Sequence, residues 1–233
     1  LQSLKEAYAR FDGDPAPLVR IDEGKYILEL FHGPTCAFKD MALTVLPYLL
    51  RKGCDICGIK QEILVLVATS GDTGKAALEG FKDADGVKIM VFYPNDGVSK
   101  MQKLQMCTQE GKNVNVVAVK GNFDDCQTAV KEIFSGEEYA EKLAERNVML
   151  SSANSINFGR LAPQIAYYFS AYLDLLSSDQ IEKGEQIDFT VPTGNFGNIL
   201  AAYYAKQMGL PIRRLHCASN LNKVLTDFLQ TGV

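Results

Sequence analysis

Short, continuously apolar segments alternate along this chain with longer segments of helical periodicity. Five apolar segments are rich in β-branched residues, at 63–68, 88–93, 114–119, 187–191 and 212–217, and residues 148–151 are a candidate sixth. Apolar runs without alternation are typical of strands that are covered on both faces, as in a parallel sheet.

Helical patterns follow or precede these strands at 41–51, 73–83, 99–109, 124–134, 137–145, 157–176, 196–208 and 220–230. A strand that alternates with a helix at this spacing predicts right-handed βαβ units. We therefore expect an α/β fold in three layers, with a small lobe at about 41–150 and the flanking segments in another lobe.

The composition excludes some partners. With a net charge of −4 and apolar runs of about six residues, we expect no nucleic acid and no membrane as partner. The six cysteines are scattered, which favours reduced thiols and a cytoplasmic protein. The chain starts at Leu1 without a secretory leader and stops without a tail, so we expect a part of a longer protein.

The sequence HGPTCAFKD at 32–40 places Lys39 at the expected start of a helix, after the chain-breaking Gly33 and Pro34. The positive end of the helix dipole disfavours a charged lysine and so lowers its pKa, which Schiff-base chemistry requires. A surface lysine near a turn is the simpler interpretation, and it is the more common one for this feature alone.

The sequence TSGDTGK at 69–75 directly follows the strand at 63–68. Small residues at a strand-to-helix junction leave backbone N–H groups to face an anion or a carboxylate. A P-loop is excluded, since that motif needs a glycine at Thr69 and a hydroxyl residue at Ala76. The structural alternative is a helix that is capped by Ser70 or Asp72.

The sequence PTGNFGN at 192–198 also connects a strand to a helix. It lacks the third glycine and the later acidic residue of a dinucleotide site, so a single phosphate fits better. A purely structural turn is the alternative.

The sequence SSANSINFGR at 151–160 concentrates hydroxyls, amides and one arginine. Arg160 could give charge-assisted bonds to a second phosphate. The alternative is a helix cap at Asn154 or Ser155, followed by a solvated arginine.

One further pattern, Cys54 and Cys57 in a turn after a helix, is weak support for zinc, and we expect no metal.

In this order and spacing, the four strings resemble threonine synthase, a fold-type-II enzyme that depends on pyridoxal phosphate (PLP), from about residue 26 onward. The resemblance implies a three-layer parallel sheet like that of tryptophan synthase β, incomplete at both ends. Residues 1–40 would carry the lysine as a segment of the large PLP lobe, 41–150 would form the small lobe, and 151–233 would form a truncated large lobe.

The resemblance also implies roles for single residues. Lys39 would hold PLP as a Schiff base and move protons. Phe38 and the phosphate loop would bind the cofactor, the loop being Gly194, Asn195, Phe196, Gly197 and Asn198. A second loop would receive the substrate carboxylate, and it comprises Ser70, Gly71, Asp72, Thr73 and Gly74. The residues expected near the substrate phosphate are Asn154, Ser155, Asn157 and Arg160. We also expect a strand edge at which Lys39 and the phosphate loop share one crevice.

The implied reaction converts O-phosphohomoserine and water to threonine and phosphate, by γ-elimination and β-addition, in a cytoplasmic monomer or homodimer of threonine biosynthesis. The alternatives are a PLP-dependent phosphohomoserine lyase, a serine/threonine dehydratase, and a non-catalytic, truncated PLP-binding domain. Family members continue past Val233 with a residue that faces the pyridine nitrogen, so the given chain could be inactive by itself.

Overall fold

Parallel strands form the centre of each of the two units into which the chain folds in this computed structural model, which describes residues 2–154 and 157–232. The strands are β1 (Leu18–Asp22), β2 (Lys25–Leu28), β3 (Glu62–Ala68), β4 (Val87–Pro94), β5 (Val114–Val119), β6 (Val148–Ser152), β7 (Ile187–Pro192) and β8 (Ile212–Ala218). The helices are α1 (Gln2–Tyr8), α2 (Asp40–Leu43), α3 (Leu46–Cys57), α4 (Asp72–Phe81), α5 (Lys100–Cys107), α6 (Phe123–Ser135), α7 (Glu137–Glu145), α8 (Ala162–Ser177), α9 (Gly197–Gln207) and α10 (Val224–Thr231).

The first unit, Leu1–Pro17 with Glu29–Arg160, contains a four-stranded parallel sheet in the order β5-β4-β3-β6. Alternate residues of β3 enter two different cores. Val65 and Val67 pack on one face with α4, whereas Leu66 and Ala68 pack on the other face with Val130 of α6. Each fully buried aliphatic side chain contributes about 1.5–3 kcal/mol. Burial on both faces explains the continuous apolar runs and confirms the predicted α/β class with its three layers.

The predicted helix at 41–51 is divided in two. α2 ends at Leu43 and α3 starts at Leu46, with Pro47 in its first turn. Proline has no N–H to donate and is favoured at a helix start, so it begins a new helix rather than extending the old one. α3 then continues to Cys57, so the prediction of a turn at the two cysteines was wrong.

The second unit comprises Leu18–Leu28 and Leu161–Val233. β7 and β8 pair in parallel here, as predicted, and α8 and α9 pack against each other. The helix predicted at 157–176 starts later, because a 3-10 turn (Phe158–Arg160) precedes α8. The antiparallel hairpin of β1 and β2 was not predicted, since its strands are mostly exposed and lack an apolar run.

Lys39 belongs to the first unit, together with β3 to β6. The predicted lobes, divided after residues 40 and 150, stay a prediction. In the ranges 2–154 and 157–232, no helix is both long enough and apolar enough to cross a membrane.

Packing of α2 against α4 determines where Lys39 can lie. Gly80 of α4 approaches α2 so closely that a Cβ atom would stand 2.3 Å from the Leu43 carbonyl oxygen. A neighbouring backbone cannot yield as a flexible side chain can. Glycine at this position therefore sets the separation of the two helices.

We expect Gly80→Ala to lower the free energy of unfolding by about 1–3 kcal/mol, because the added methyl group overpacks this contact. Gly53→Ala is the matched control, since Gly53 lies in α3 with open space around it. The free energy of unfolding of this variant should rise by about 0.5–1 kcal/mol. Urea unfolding followed by circular dichroism measures both. Equal stabilities for the two variants would contradict the close contact.

Candidate active site

The turn that carries Lys39 is closed by the residue after it. The Asp40 carboxylate, only 1% exposed, accepts hydrogen bonds from the Thr35 N–H (2.8 Å), the Thr35 hydroxyl (2.6 Å) and the Ala37 N–H (3.4 Å). Burial raises the pKa of Asp40 above its ordinary value, against these hydrogen bonds. Gly33 leaves room for this side chain, as its Cβ would stand 2.5 Å from that of Asp40. Asp40 thus fixes the backbone that presents Lys39.

The Lys39 amine lies beside one carboxylate and one aromatic ring. Its Nζ is 3.7 Å from Oδ2 of Asp72 and 5.5 Å from the centre of the Phe38 ring. The Lys39 side chain is 18% exposed, whereas that of Asp72 is 59% exposed. The amine is therefore shielded on the protein side, and its carboxylate partner lies toward solvent.

Burial is the main reason why the pKa of Lys39 is lowered. Asp72 opposes this shift, the positive charge of Arg160 adds to it, and Asp40 weakly opposes it. The predicted direction agrees with the structure, but the predicted cause does not. α2 has only four residues, so its dipole is too short to act as a strong source of potential. A larger share of neutral amine near neutral pH follows.

The loop before α4 is organised by Thr69, which was not among the predicted site residues. Its buried hydroxyl accepts hydrogen bonds from the Gly71 N–H (3.0 Å) and the Gly74 N–H (2.9 Å) and donates to the Gly71 carbonyl (3.1 Å). The structural alternative, a side-chain cap by Ser70 or Asp72, is absent in this described loop, where Gly71 occupies the cap position. The backbone N–H groups of Gly71 and Gly74, which were expected to face a substrate carboxylate, are thus hydrogen-bonded within the loop. Thr73 lies in the first turn of α4.

The side-chain amides of Asn154 and Asn157, which were predicted to bind substrate, are hydrogen-bonded to backbone groups. Asn154 donates to the Ala68 carbonyl (2.9 Å) and accepts from the Ala68 N–H (3.3 Å). Asn157 donates to the Ser152 carbonyl (2.8 Å) and accepts from the Gly159 N–H (2.9 Å). Ser155 lies outside the described residues. The contacts of Asn154 join the carboxyl ends of β3 and β6, and its role toward a substrate stays a prediction.

Arg160 is buried, with 6% of its surface exposed, so the interpretation as a solvated arginine was wrong. Its Nη1 donates to the Ala153 carbonyl over 2.9 Å. Burial lowers the pKa of Arg160 to about 10. This guanidinium is still charged at neutral pH, and it brings a positive charge near the Lys39 amine.

In the second unit, the turn after β7 has two residues with positive φ, Gly194 at 46° and Phe196 at 63°. Thr193 holds the turn to β8, since its N–H and its hydroxyl donate to the Ala218 carbonyl at 2.8 and 2.9 Å. Asn195 is exposed, and added Cβ atoms at Gly194 and Gly197 would meet open space. α9 begins at Gly197, so its first N–H groups point along the helix axis into this open region.

The Asn198 side chain is hydrogen-bonded to two tyrosines that were not among the predicted site residues. Its Oδ1 accepts hydrogen bonds from the hydroxyls of Tyr167 and Tyr168, both at 2.6 Å. Burial raises the pKa of each tyrosine well above its ordinary value, so both hydroxyls remain donors. Asn198 is thereby fixed against α8, and its backbone N–H lies in the first turn of α9, where N–H groups can face an anion.

An amine of lowered pKa in one unit and a glycine-containing strand-to-helix turn in the other define an α/β protein equipped for carbonyl and phosphate binding. Residues 11–233 match the family model described as "Pyridoxal-phosphate dependent enzyme". The chain therefore belongs to the pyridoxal-phosphate dependent enzyme family, and PLP is its cofactor.

Within that family, the chain is similar to threonine synthases. It is 48% identical over 93% of its length to threonine synthase-like 1 of Homo sapiens, and 42% identical over 97% to threonine synthase of Pseudomonas aeruginosa. The PLP-bound threonine synthase of Brucella melitensis superposes on 99% of the chain with a TM-score of 0.86 and 43% identity. These matches cover 30%, 46% and 47% of the relatives, so the chain spans less than half of each.

We expect Asp72→Asn to lower the pKa of Lys39 further, because it removes the largest interaction that favours the ammonium form. The pH profile of Lys39 acylation, followed by peptide mass spectrometry, should move to lower pH. Below the midpoint, the labelling rate should rise about two- to fivefold, since one charge at about 4 Å in water is worth ~1 kcal/mol. Asp55→Asn is the control, as Asp55 forms a similar exposed pair with Arg51 at 3.8 Å. An unchanged profile in Asp72→Asn would refute the contact.

Proposed function

We propose that this protein converts O-phosphohomoserine and water to threonine and inorganic phosphate, with PLP held by Lys39. The observation that carries the proposal is the shielded Lys39 amine, with its lowered pKa and its Asp72 partner, in a member of the PLP family. Similarity to proteins named threonine synthase supports the choice of substrate.

The residues present fit PLP by their chemistry. A lysine that is partly neutral can attack an aldehyde, and a glycine turn at the start of the 11-residue α9 can accept a phosphate. When bound, PLP supplies an electron sink for the chemistry at the carbons of an amino acid. Gly194, Asn195, Phe196, Gly197 and Asn198 would hold its phosphate through backbone N–H groups, and Phe38 would border the lysine.

Lys39 supplies the acid–base chemistry in this proposal. As a neutral amine, it takes the proton from the α-carbon of the substrate, and as an ammonium it returns protons to the product carbons. Asp72 stabilises the ammonium form between these transfers, whereas burial and Arg160 favour the return to the amine. Opposing influences of this kind on one amine suit a group that must both take and return a proton.

Anion binding would set the specificity. Arg160 brings positive charge for the phosphate that leaves from the γ-carbon, with Asn154, Ser155 and Asn157 around it. The loop of Ser70, Gly71, Asp72, Thr73 and Gly74 would receive the substrate carboxylate. In the overall balance, the γ C–O bond breaks with its electrons on phosphate, and the β-carbon loses one proton and gains the hydroxyl of water. That proton and the remaining proton of water go to the γ-carbon and to the phosphate.

Covalent capture of PLP tests the lysine. Borohydride reduction of the protein with PLP should attach the cofactor to the peptide that contains Lys39, and Lys39→Ala should abolish this attachment. Lys75→Ala should retain it, because the Lys75 amine contacts Glu79 and Gln109 instead. Peptide mass spectrometry identifies the site. Attachment of PLP to another lysine in the protein without substitutions would disprove the assignment of Lys39 as the PLP-binding lysine.

Measuring phosphate and threonine separately tests the reaction. We expect one threonine for each phosphate released from O-phosphohomoserine, and no turnover by Lys39→Ala. Phosphate with a keto acid and ammonia would instead indicate a phosphohomoserine lyase, the outcome left open by relatives named threonine synthase-like 1. Ammonia from serine or threonine would indicate a dehydratase, and PLP capture without turnover a non-catalytic PLP-binding domain.

The proposal includes a place of action in the cytoplasm, as a monomer or homodimer without nucleic acid or membrane partners. Support comes from the thiols, since all six cysteines are free and four of them are exposed. Exposed free thiols persist in a reducing compartment.

A further inference from the structure

Gln102 of α5 contacts Asp72 although the two residues are 30 positions apart in sequence. Its Nε2 donates to Oδ1 of Asp72 over 2.7 Å. The other oxygen of the same carboxylate, Oδ2, lies 3.7 Å from the Lys39 amine. A single carboxylate therefore contacts a fixed amide on one side and the lysine on the other.

The Gln102 amide is itself held in a defined orientation. Its Oε1 accepts hydrogen bonds from the Ser99 N–H (3.2 Å) and the Ser99 hydroxyl (3.0 Å), and the Ser99 oxygen accepts from the Gln102 N–H (3.2 Å). These bonds form the capping box that begins α5. Since the oxygen of the amide faces Ser99, its NH₂ group faces Asp72.

Gly71 makes the space for this contact. A Cβ atom at Gly71 would stand 2.4 Å from Nε2 of Gln102, and the backbone φ of 157° is one that side chains rarely adopt. The glycine in the loop thus has a physical role that is separate from any contact with a ligand. It lets α5 reach the start of α4.

An exposed carboxylate needs such support. With 59% of its side chain exposed, Asp72 would otherwise sample several rotamers, and exposed ion pairs of this kind contribute little because ordering them costs side-chain entropy. The bond from Gln102 restricts the carboxylate to the orientation in which it faces Lys39.

We propose that Gln102 is a positioning residue, which holds the Asp72 carboxylate against the Lys39 amine and makes the helix cap of α5 part of the lysine's site. The inference deepens the proposed function, because its catalytic consequence depends on Lys39 being the lysine that binds PLP. The contact itself can be tested without the cofactor.

Four influences act on the Lys39 amine from the elements around it. Asp72 of α4 and Asp40 of α2 favour the ammonium form, whereas burial and Arg160 of the 3-10 turn favour the neutral amine. Gln102 carries no charge. Its replacement therefore changes the titration of Lys39 only through the position of Asp72.

The test is the pH profile of Lys39 acylation in the cofactor-free protein, for Gln102→Met, Ser99→Ala, Asp72→Asn and the double variant Asp72→Asn/Gln102→Met. Methionine keeps the length of the side chain but cannot donate. We expect Gln102→Met to move the midpoint to lower pH, as Asp72→Asn does, with labelling below the midpoint about two- to fivefold faster. Ser99→Ala removes the hydroxyl bond that helps to orient the Gln102 amide but leaves the bond from the residue 99 N–H, so its midpoint should move in the same direction by less. The double variant should match Asp72→Asn.

Three results would overturn the proposal. They are an unchanged midpoint in Gln102→Met, a shift in Ser99→Ala that exceeds the shift in Gln102→Met, or a further shift when Gln102→Met is added to Asp72→Asn. Gln102→Ala serves as a second variant, with circular dichroism to verify that each protein is folded. Because the readout needs no PLP, failure of this proposal is distinguishable from failure of the proposed function, which PLP capture on Lys39 reports.

Discussion

Burial of both faces of the β3–β4 pair is the constraint on which the first unit depends. Val65 and Val67 on one face, and Leu66 on the other, leave no face of the strand for water. A parallel sheet covered in this way has all its loops at the strand ends. The carboxyl ends of β3 and β6 therefore lie side by side, and Asn154 joins them by two hydrogen bonds to Ala68.

From this edge, the surroundings of Lys39 are assembled by close contacts between neighbouring elements. Gly80 lets α2 approach α4, and Gly71 lets the Gln102 amide of α5 reach the first residue of α4. Three elements distant in sequence thereby determine the surroundings of one amine. Its proton affinity is set by burial and the charge of Arg160 against the carboxylates of Asp72 and Asp40.

The parallel strands were predictable because a strand that is buried on both faces has apolar residues at successive positions. The runs at 63–68 and 114–119 correspond closely to β3 and β5. The β1–β2 hairpin has mostly exposed residues, so it leaves no apolar run to detect. The motifs located Lys39 and the Gly194 turn, but they gave no sign of Tyr167 or Gln102, whose partners are remote in the chain.

By itself, the sequence determined the α/β class, the order of the parallel strands with the helices between them, and the four motifs, because these depend on residue type and local spacing. Only the tertiary structure decided that Arg160 is buried, that Thr69 rather than Ser70 organises its loop, and that the pKa of Lys39 is lowered mainly by burial. The burial of polar side chains, and contacts between residues far apart in sequence, arise from packing, and no local pattern encodes them.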